Sequence, residues 1–240
     1  MHFVPVKSVT QQAQGMVLKV RESLIEQRTA TANTLRGHAA EFGLVVSKGL
    51  DKIRSLLSAI EQEDVIPREA REMFVLLGEQ IDDLDARIKQ IDAKLIAAHK
   101  ANPVSTRLAT IPGVGPVTAL TLAVEINPAA FQSGRHLAAW TGLTPREHST
   151  AGKQRMGGIS RAGNERLRAL FVSGAMSVIN AAIRTGGATM TAWLRVLLQR
   201  KPRKVAAVAL ANKMARTAWA MMISGETYRR PSATTGAVPA

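Results

Sequence analysis

The sequence contains no cysteine and few aromatic residues: five Phe, three Trp and one Tyr in 240 residues. Without Cys there is no disulfide scaffold, no thiolate zinc site and no cysteine nucleophile, and this usage fits a reducing compartment. An aromatic content of 4% argues against base-stacking nucleic-acid modules, which need ring platforms. No run reaches the roughly 18 consecutive apolar residues of a membrane span. Residues 1–5 (Met-His-Phe-Val-Pro) do not read as a signal peptide, so no membrane partner is expected.

Acid is also scarce, but only in one part of the chain. Residues 1–100 hold 14 Lys+Arg and 14 Asp+Glu, which cancel. Residues 101–240 hold the other 18 basic residues against four acids, Glu125, Glu147, Glu165 and Glu226. The whole formal charge of +14 therefore lies after residue 100. A block that basic attracts a polyanion through phosphate neutralisation and counterion release. A merely solubilising surface mixes both signs, so nucleic acid is the expected partner.

What is present is mostly helix-forming. Residues 9–46 contain no Pro and are rich in Gln, Ala, Leu, Glu and Arg, with Val17, Val20, Leu24, Thr31, Leu35 and Phe42 near one face. A shorter helix over 50–59 follows Gly49, and Pro67 suits the first position of the next helix. There Phe74, Leu77, Ile81, Leu84, Ile88, Ile91, Leu95 and Ala98 recur in steps of three and four, an a/d seam with charged residues outside it. The seam suits either a coiled-coil arm pairing two chains through Ile81, Leu84, Ile88 and Ile91, or one helix of an intramolecular bundle. Asn102-Pro103 ends it.

Beyond residue 103 short helices alternate with Gly- and Pro-bearing turns, without strand alternation, around a polar loop over 141–158. Helices are expected over 164–184, 191–200 and 205–223. The fold class is therefore all-α: long helices and a coiled-coil arm, then a compact helical domain containing a helix-hairpin-helix. The expected division is 1–64, 65–102 (the arm), 103–229 and a disordered tail over 230–240.

Two motifs carry chemistry. Ile111-Pro112-Gly113-Val114-Gly115-Pro116 fits a helix-hairpin-helix turn. Gly113, Val114 and Gly115 would present backbone N–H groups and a helix dipole to phosphate, gripping nucleic acid without reading its bases. An ordinary tight turn between packed helices fits the same residues. The second motif, over 145–164, sets Ser149 and Thr150 among His148, Lys153, Arg155 and Arg161, with Arg166 and Arg168 following and the basic pair Arg203 and Lys204 further on. Cations around a hydroxyl favour its ionised form and stabilise a phosphate under attack. Taken alone, these residues are better accounted for by a basic loop that simply binds phosphate, since no Ser/His/Asp triad can be placed from sequence.

A resemblance extends this reading. The motifs are Ile111-Pro112-Gly113-Val114-Gly115, Phe131 with Arg135-His136-Leu137-Ala138-Ala139-Trp140-Thr141-Gly142-Leu143, His148-Ser149-Thr150-Ala151-Gly152-Lys153, Gly157-Gly158-Ile159-Ser160 and Gly163-Asn164 with Leu167-Arg168. In this order they resemble the C-terminal transposase domain of the insertion-sequence 110 family and its 116 and 902 relatives. The segment from Val208 to Ala220 resembles the family's closing helix. Residues 3–8 and 21–36 resemble the segment that follows its N-terminal catalytic core.

That resemblance implies site-specific DNA recombination in the bacterial cytoplasm, at the nucleoid. In such proteins a RuvC-like domain with DEDD metal-binding acids is joined by a dimerising coiled coil to a domain supplying a nucleophilic serine. A structured guide RNA and homo-oligomerisation are implied as well. Ser149 is the implied nucleophile, with Thr150 in its place if the family serine aligns one position later. Ala151 stands where the family has a glycine. The DEDD acids are expected upstream of residues 3–8, so the chain reads as a truncated transposase, weakened or inactive alone. No cofactor is expected for it, and Mg for a complete member. The alternative is a non-catalytic DNA- or RNA-binding, or dimerising, fragment that modulates a full-length transposase.

Overall fold

The computed structural model describes residues 6–150, 152–153, 155–187 and 190–229. The tail over 230–240, Ala151 and residues 3–5 of the first resembled segment lie outside the described residues. The described residues form two compact units, one over 12–95 and one over 96–229 with residues 6–11. The helices over 12–95 lie within one of these units.

The unit over 12–95 is built from α1 (Val9–Glu41), α2 (Asp51–Gln62) and α3 (Arg68–Ala101). Pro67 does not sit inside α3: its carbonyl accepts from the Arg71 amide, so it caps the helix from one residue outside. Ala32, Leu35 and Ala39 of α1, Ile53, Leu56 and Ile60 of α2, and Phe74 and Ile81 of α3 form one buried cluster. Arg21 pairs with Asp92, and Arg28 with Asp85. As one number rises the other falls, so α1 and α3 run antiparallel. The heptad seam lies inside this unit: Ile81, Leu84 and Ile88 are 6%, 5% and 5% exposed. Within this chain the seam faces the other helices of the unit, as one helix of a bundle does.

The expected stripe on α1 is shifted. Val20 and Phe42 are exposed, whereas Leu18, Ala32, Leu35 and Ala39 are buried. Small alanines let the helices approach closely, a role that a search for bulky side chains overlooks.

The second unit holds α4 (Pro103–Leu108), α5 (Pro116–Glu125), α6 (Gly134–Trp140), α7 (Glu165–Arg184), α8 (Ala192–Arg200) and α9 (Arg203–Ser224). Asn102, Ser133, Asn164 and Thr191 cap α4, α6, α7 and α8, each accepting a backbone N–H with its side chain. Gly225, at φ +73°, ends α9 in the left-handed conformation. The core centres on α7 packed against α9, with Phe171, Ala175 and Ile179 facing a row of Ala206, Ala207, Ala211, Ala215 and Ala218. By length and composition α7 is apolar enough to cross a membrane, but that apolar face is spent in this core.

The all-α expectation holds for the chain, and the polar loop that begins at residue 141 carries its one small sheet among the described residues. It contains an antiparallel hairpin, β1 (Pro145–Glu147) and β2 (Met156–Ile159), in a chain otherwise mostly helical. Both strands are almost wholly exposed, so neither shows the one-sided alternation that marks a strand in a sequence.

Candidate nucleic-acid interface

Ser149 lies on the hairpin just past β1. The His148 amide donates to the Arg155 carbonyl at 2.8 Å, and the Lys153 amide to the Thr150 carbonyl at 3.0 Å, which closes the tip. Gly152, at φ +79°, supplies the backbone conformation that such a turn demands. Across the hairpin the Arg155 backbone N–H donates to Ser149 Oγ at 3.2 Å. A donor on that oxygen favours charge developing there. The half-buried Ser149 therefore has a fixed position, while the Thr150 side chain is exposed.

The His148 ring lies over Gly157, with Cδ2 3.5 Å from where a Cβ would stand. Neighbouring residues of a strand point to opposite faces. Among the described residues no hydrogen bond joins His148 to Ser149, so no Ser-His pair is assembled.

The root of the hairpin is tightly built. An added Cβ on Gly142 would lie 2.4 Å from the Ala162 carbonyl oxygen, and one on Gly163 would lie 1.7 Å from that of Trp140. Trp140-Thr141-Gly142 thus packs backbone to backbone against Ala162-Gly163-Asn164, with both glycines at positive φ. The Asn164 amide donates to the Trp140 carbonyl and the Arg161 amide to that of Gly142. From α9, Asn212 Nδ2 donates to the Leu143 carbonyl at 3.3 Å.

Arg168 completes this root. Sequence reasoning has it hold a DNA phosphate. Its guanidinium is instead buried, donating to the carbonyls of Thr141 and Ala162 at 3.2 and 3.0 Å. Arg166 is likewise committed, 3.1 Å from Glu125 with side chains 14% and 12% exposed. A guanidinium holding carbonyls or a buried carboxylate is not available to hold phosphate. A signal for Arg168 exists in the sequence: residues 168, 171, 175, 179 and 182 form one helical face, so it heads an apolar stripe.

Other cations remain outward. Lys153, Arg155 and Arg161 are exposed on or beside the hairpin, as is Arg146, which sequence reasoning leaves out and whose Nη2 donates to the Ser160 carbonyl. Among the described residues none of the four is paired with an acid. Arg161 adopts φ +56°, the one described non-glycine residue at positive φ. Arg203 and Lys204 lie exposed in the first turn of α9 beside Arg200 and Lys201, where the helix dipole disfavours cations and an anion relieves the repulsion.

The Ile111–Gly115 turn joins α4 to α5. Gly113, at φ +87°, approaches α7 and α9 so closely that a Cβ would meet the Gly174 carbonyl at 2.8 Å and Met214 Cε at 2.9 Å. Val114 is buried and its amide is bound to the Ile111 carbonyl, so it contributes packing. Gly115 is exposed as the N-cap of α5. The first bond within α5 comes from Ala119, which leaves the amides of Val117 and Thr118 without an intrahelical acceptor. A cleft of about 460 Å³ lies beside this turn, walled on its other side by Leu170, Ser173, Gly174 and Ser177.

Among the described residues no three His, Asp or Glu side chains converge into a group that could hold a metal ion. The magnesium implied for a complete family member finds no fitting donor set among them, and no chemical step is routed through it.

Residues 105–188 match the model of the Transposase IS116/IS110/IS902 family. A Sinorhizobium fredii protein named "Putative transposase y4pF/y4sB" is 50% identical over 232 residues, covering 96% of this chain and 60% of that relative. A "Probable family 20 transposase" of Pseudomonas aeruginosa is 40% identical over 235 residues, covering 96% and 69%. The transposase for insertion sequence element IS1111A of Coxiella burnetii is 36% identical over 233 residues, covering 95% and 64%. The chain therefore spans 60% of the length of the first of these relatives.

Proposed function

The chain belongs to the IS116/IS110/IS902 transposase family, and from that premise we propose that it grips DNA and uses Ser149 to transfer a DNA strand during transposition. The observation that carries this reading is the hydrogen bond from the Arg155 N–H to Ser149 Oγ on a cation-lined hairpin with a locked root. Ser149 Oγ attacks the scissile phosphorus, a phosphoserine bond forms to one DNA end, and the bond to the leaving oxygen breaks. The seryl proton is lost to solvent and the leaving oxygen takes one up. Lys153, Arg155 and Arg161 neutralise the phosphate under attack, and the Arg155 amide stabilises the seryl oxygen as it loses its proton.

The turn at Gly113 and Gly115, and the Arg203–Lys204 end of α9, hold the duplex by its backbone and set position without reading sequence. Structured RNA and a second copy of the chain are further partners under this reading. The test separates grip from chemistry. Ser149→Ala is expected to bind duplex DNA within about twofold of wild type and to lose recombination of element ends. Lys153→Ala with Arg155→Ala weakens binding and flattens its salt dependence. Unchanged recombination in Ser149→Ala sinks the assignment.

One observation favours a second reading. Ser149 Oγ already has a structural task, closing the hairpin, and no histidine is bonded to it. In that case the chain is a non-catalytic DNA- or RNA-binding or dimerising fragment that modulates a complete transposase, and Ser149→Ala changes neither binding nor modulation.

A further inference from the structure

The scarce aromatics of this chain are not scattered. A groove of about 1260 Å³ runs along α9 and is lined by Trp193 and Trp219, two of the three tryptophans, and by Tyr228, the one tyrosine. Four cations, Arg135, Lys213, Arg216 and Arg229, line the same groove. Its one acid, Glu226, sits 3.6 Å from Arg229 and is matched by it. Among the described residues Arg135, Lys213 and Arg216 have no acidic partner, so the groove carries net positive charge. The groove also takes in Ile111 and Pro112 of the turn before α5, so it borders that turn, while none of its lining comes from the hairpin.

Trp193 is the exposed ring, whereas Trp219 and Tyr228 are half-buried and pack against the domain core. Trp219 donates its indole N–H to the Pro128 carbonyl at 3.0 Å, which fixes the plane of the ring. Trp193 is 41% exposed, with the Lys213 ammonium 4.8 Å from its ring centroid. A flexible ammonium over an indole is readily displaced by a stacking base toward that base's own phosphate. Tyr228 is anchored by its amide, which donates to Thr110 Oγ1.

Rings interleaved with unpaired cations in an open trough are what an unpaired polynucleotide requires: π-faces for its bases and charges for its phosphates. A duplex offers no free base faces, because its bases stack on one another. An acidic peptide answers the charges but leaves the rings unused. The volume exceeds the roughly 300–1,000 Å³ of a small-molecule pocket, so a run of nucleotides fits better than a metabolite. We infer that this groove is a single-stranded DNA site, bordering the turn that grips the duplex and holding an unpaired strand by stacking on Trp193. The choice of DNA rests on the strand-transfer reading above; the stacking geometry does not.

The probe is a fluorescein-labelled dT12 oligonucleotide, with a duplex of equal length, rU12 and a twelve-residue poly-Glu peptide as competitors, read by anisotropy on the full chain. The wild-type chain is expected to bind dT12 and to prefer it over rU12 and poly-Glu. Trp193→Ala weakens dT12 binding about tenfold or more and leaves duplex binding within about twofold. Arg135→Ala and Arg216→Ala, exposed sites whose loss leaves the fold intact, each reduce the dT12 salt slope by about 0.7. Three results overturn the site: no dT12 binding by wild type, equal losses for dT12 and duplex in Trp193→Ala, or rU12 or poly-Glu competing as well as dT12. Ser149→Ala leaves dT12 binding unchanged whichever way recombination falls, so the two proposals fail separately.

Discussion

The carbonyl oxygen of Trp140 occupies the space that a Cβ on Gly163 would need, 1.7 Å from it. This contact joins the end of α6 to the start of α7 and sets the base from which the Ser149 hairpin projects. Gly163 also holds φ +67°. Gly163→Ala is therefore expected to combine left-handed strain with a clash against backbone that cannot rotate away, costing about 4 kcal/mol or more. Gly186→Ala has similar backbone strain, φ +63°, with nothing within 4 Å, and is expected to cost only about 1 kcal/mol. Paired thermal melts check the contrast, and similar losses at the two sites would refute the packing argument.

Arg168 and Arg155 separate structural from functional charge. Arg168→Met removes the donors to two carbonyls and leaves them buried, at a cost of about 3 kcal/mol in denaturant titration. Arg155→Ala is expected to leave the melting temperature in place while the salt slope of duplex binding falls by about 0.9. If Arg168→Met folds like wild type and simply binds DNA less well, its guanidinium faces phosphate after all.

The Arg166–Glu125 pair is nearly buried, and Glu125→Gln takes the carboxylate charge from beside the guanidinium. It is expected to destabilise the domain by about 1–3 kcal/mol. Urea unfolding measures it; a change below about 1 kcal/mol means the pair is solvated.

In the helical unit, Ile88→Ala opens a cavity against the chain's own helices, with an expected loss of about 2–4 kcal/mol. That loss is independent of protein concentration if the seam is intramolecular. Unfolding midpoints that rise with concentration show instead that two chains share it.

The helices were legible because their signals are local: caps at Asn102, Asn164 and Thr191, prolines at the starts of α4 and α5, and the three-four spacing of α3. Close backbone approaches left a sequence signal too, since Gly113, Gly142 and Gly163 stand where backbones touch. The β1–β2 pairing was not, because a short hairpin exposed on both faces has no apolar period to display. Charge was misread in one respect. A count of arginines cannot tell Arg155, which points to solvent, from Arg168, which lies on the buried face of α7; only its phase with Phe171 and Ala175 separates them. The clustering of Trp193, Trp219 and Tyr228 is a property of the fold alone, as Tyr228 reaches the groove from beyond the end of α9.

The central claim is that Ser149 attacks DNA, and covalent trapping tests it most directly. A nicked suicide substrate carrying the element end is incubated with the full chain, and the denatured product is digested and mapped by mass spectrometry. The account predicts a nucleotide adduct on Ser149 that is absent in Ser149→Ala and retained in Thr150→Ala. An adduct mapped to Thr150, or DNA that is bound by wild type yet never trapped, would contradict it.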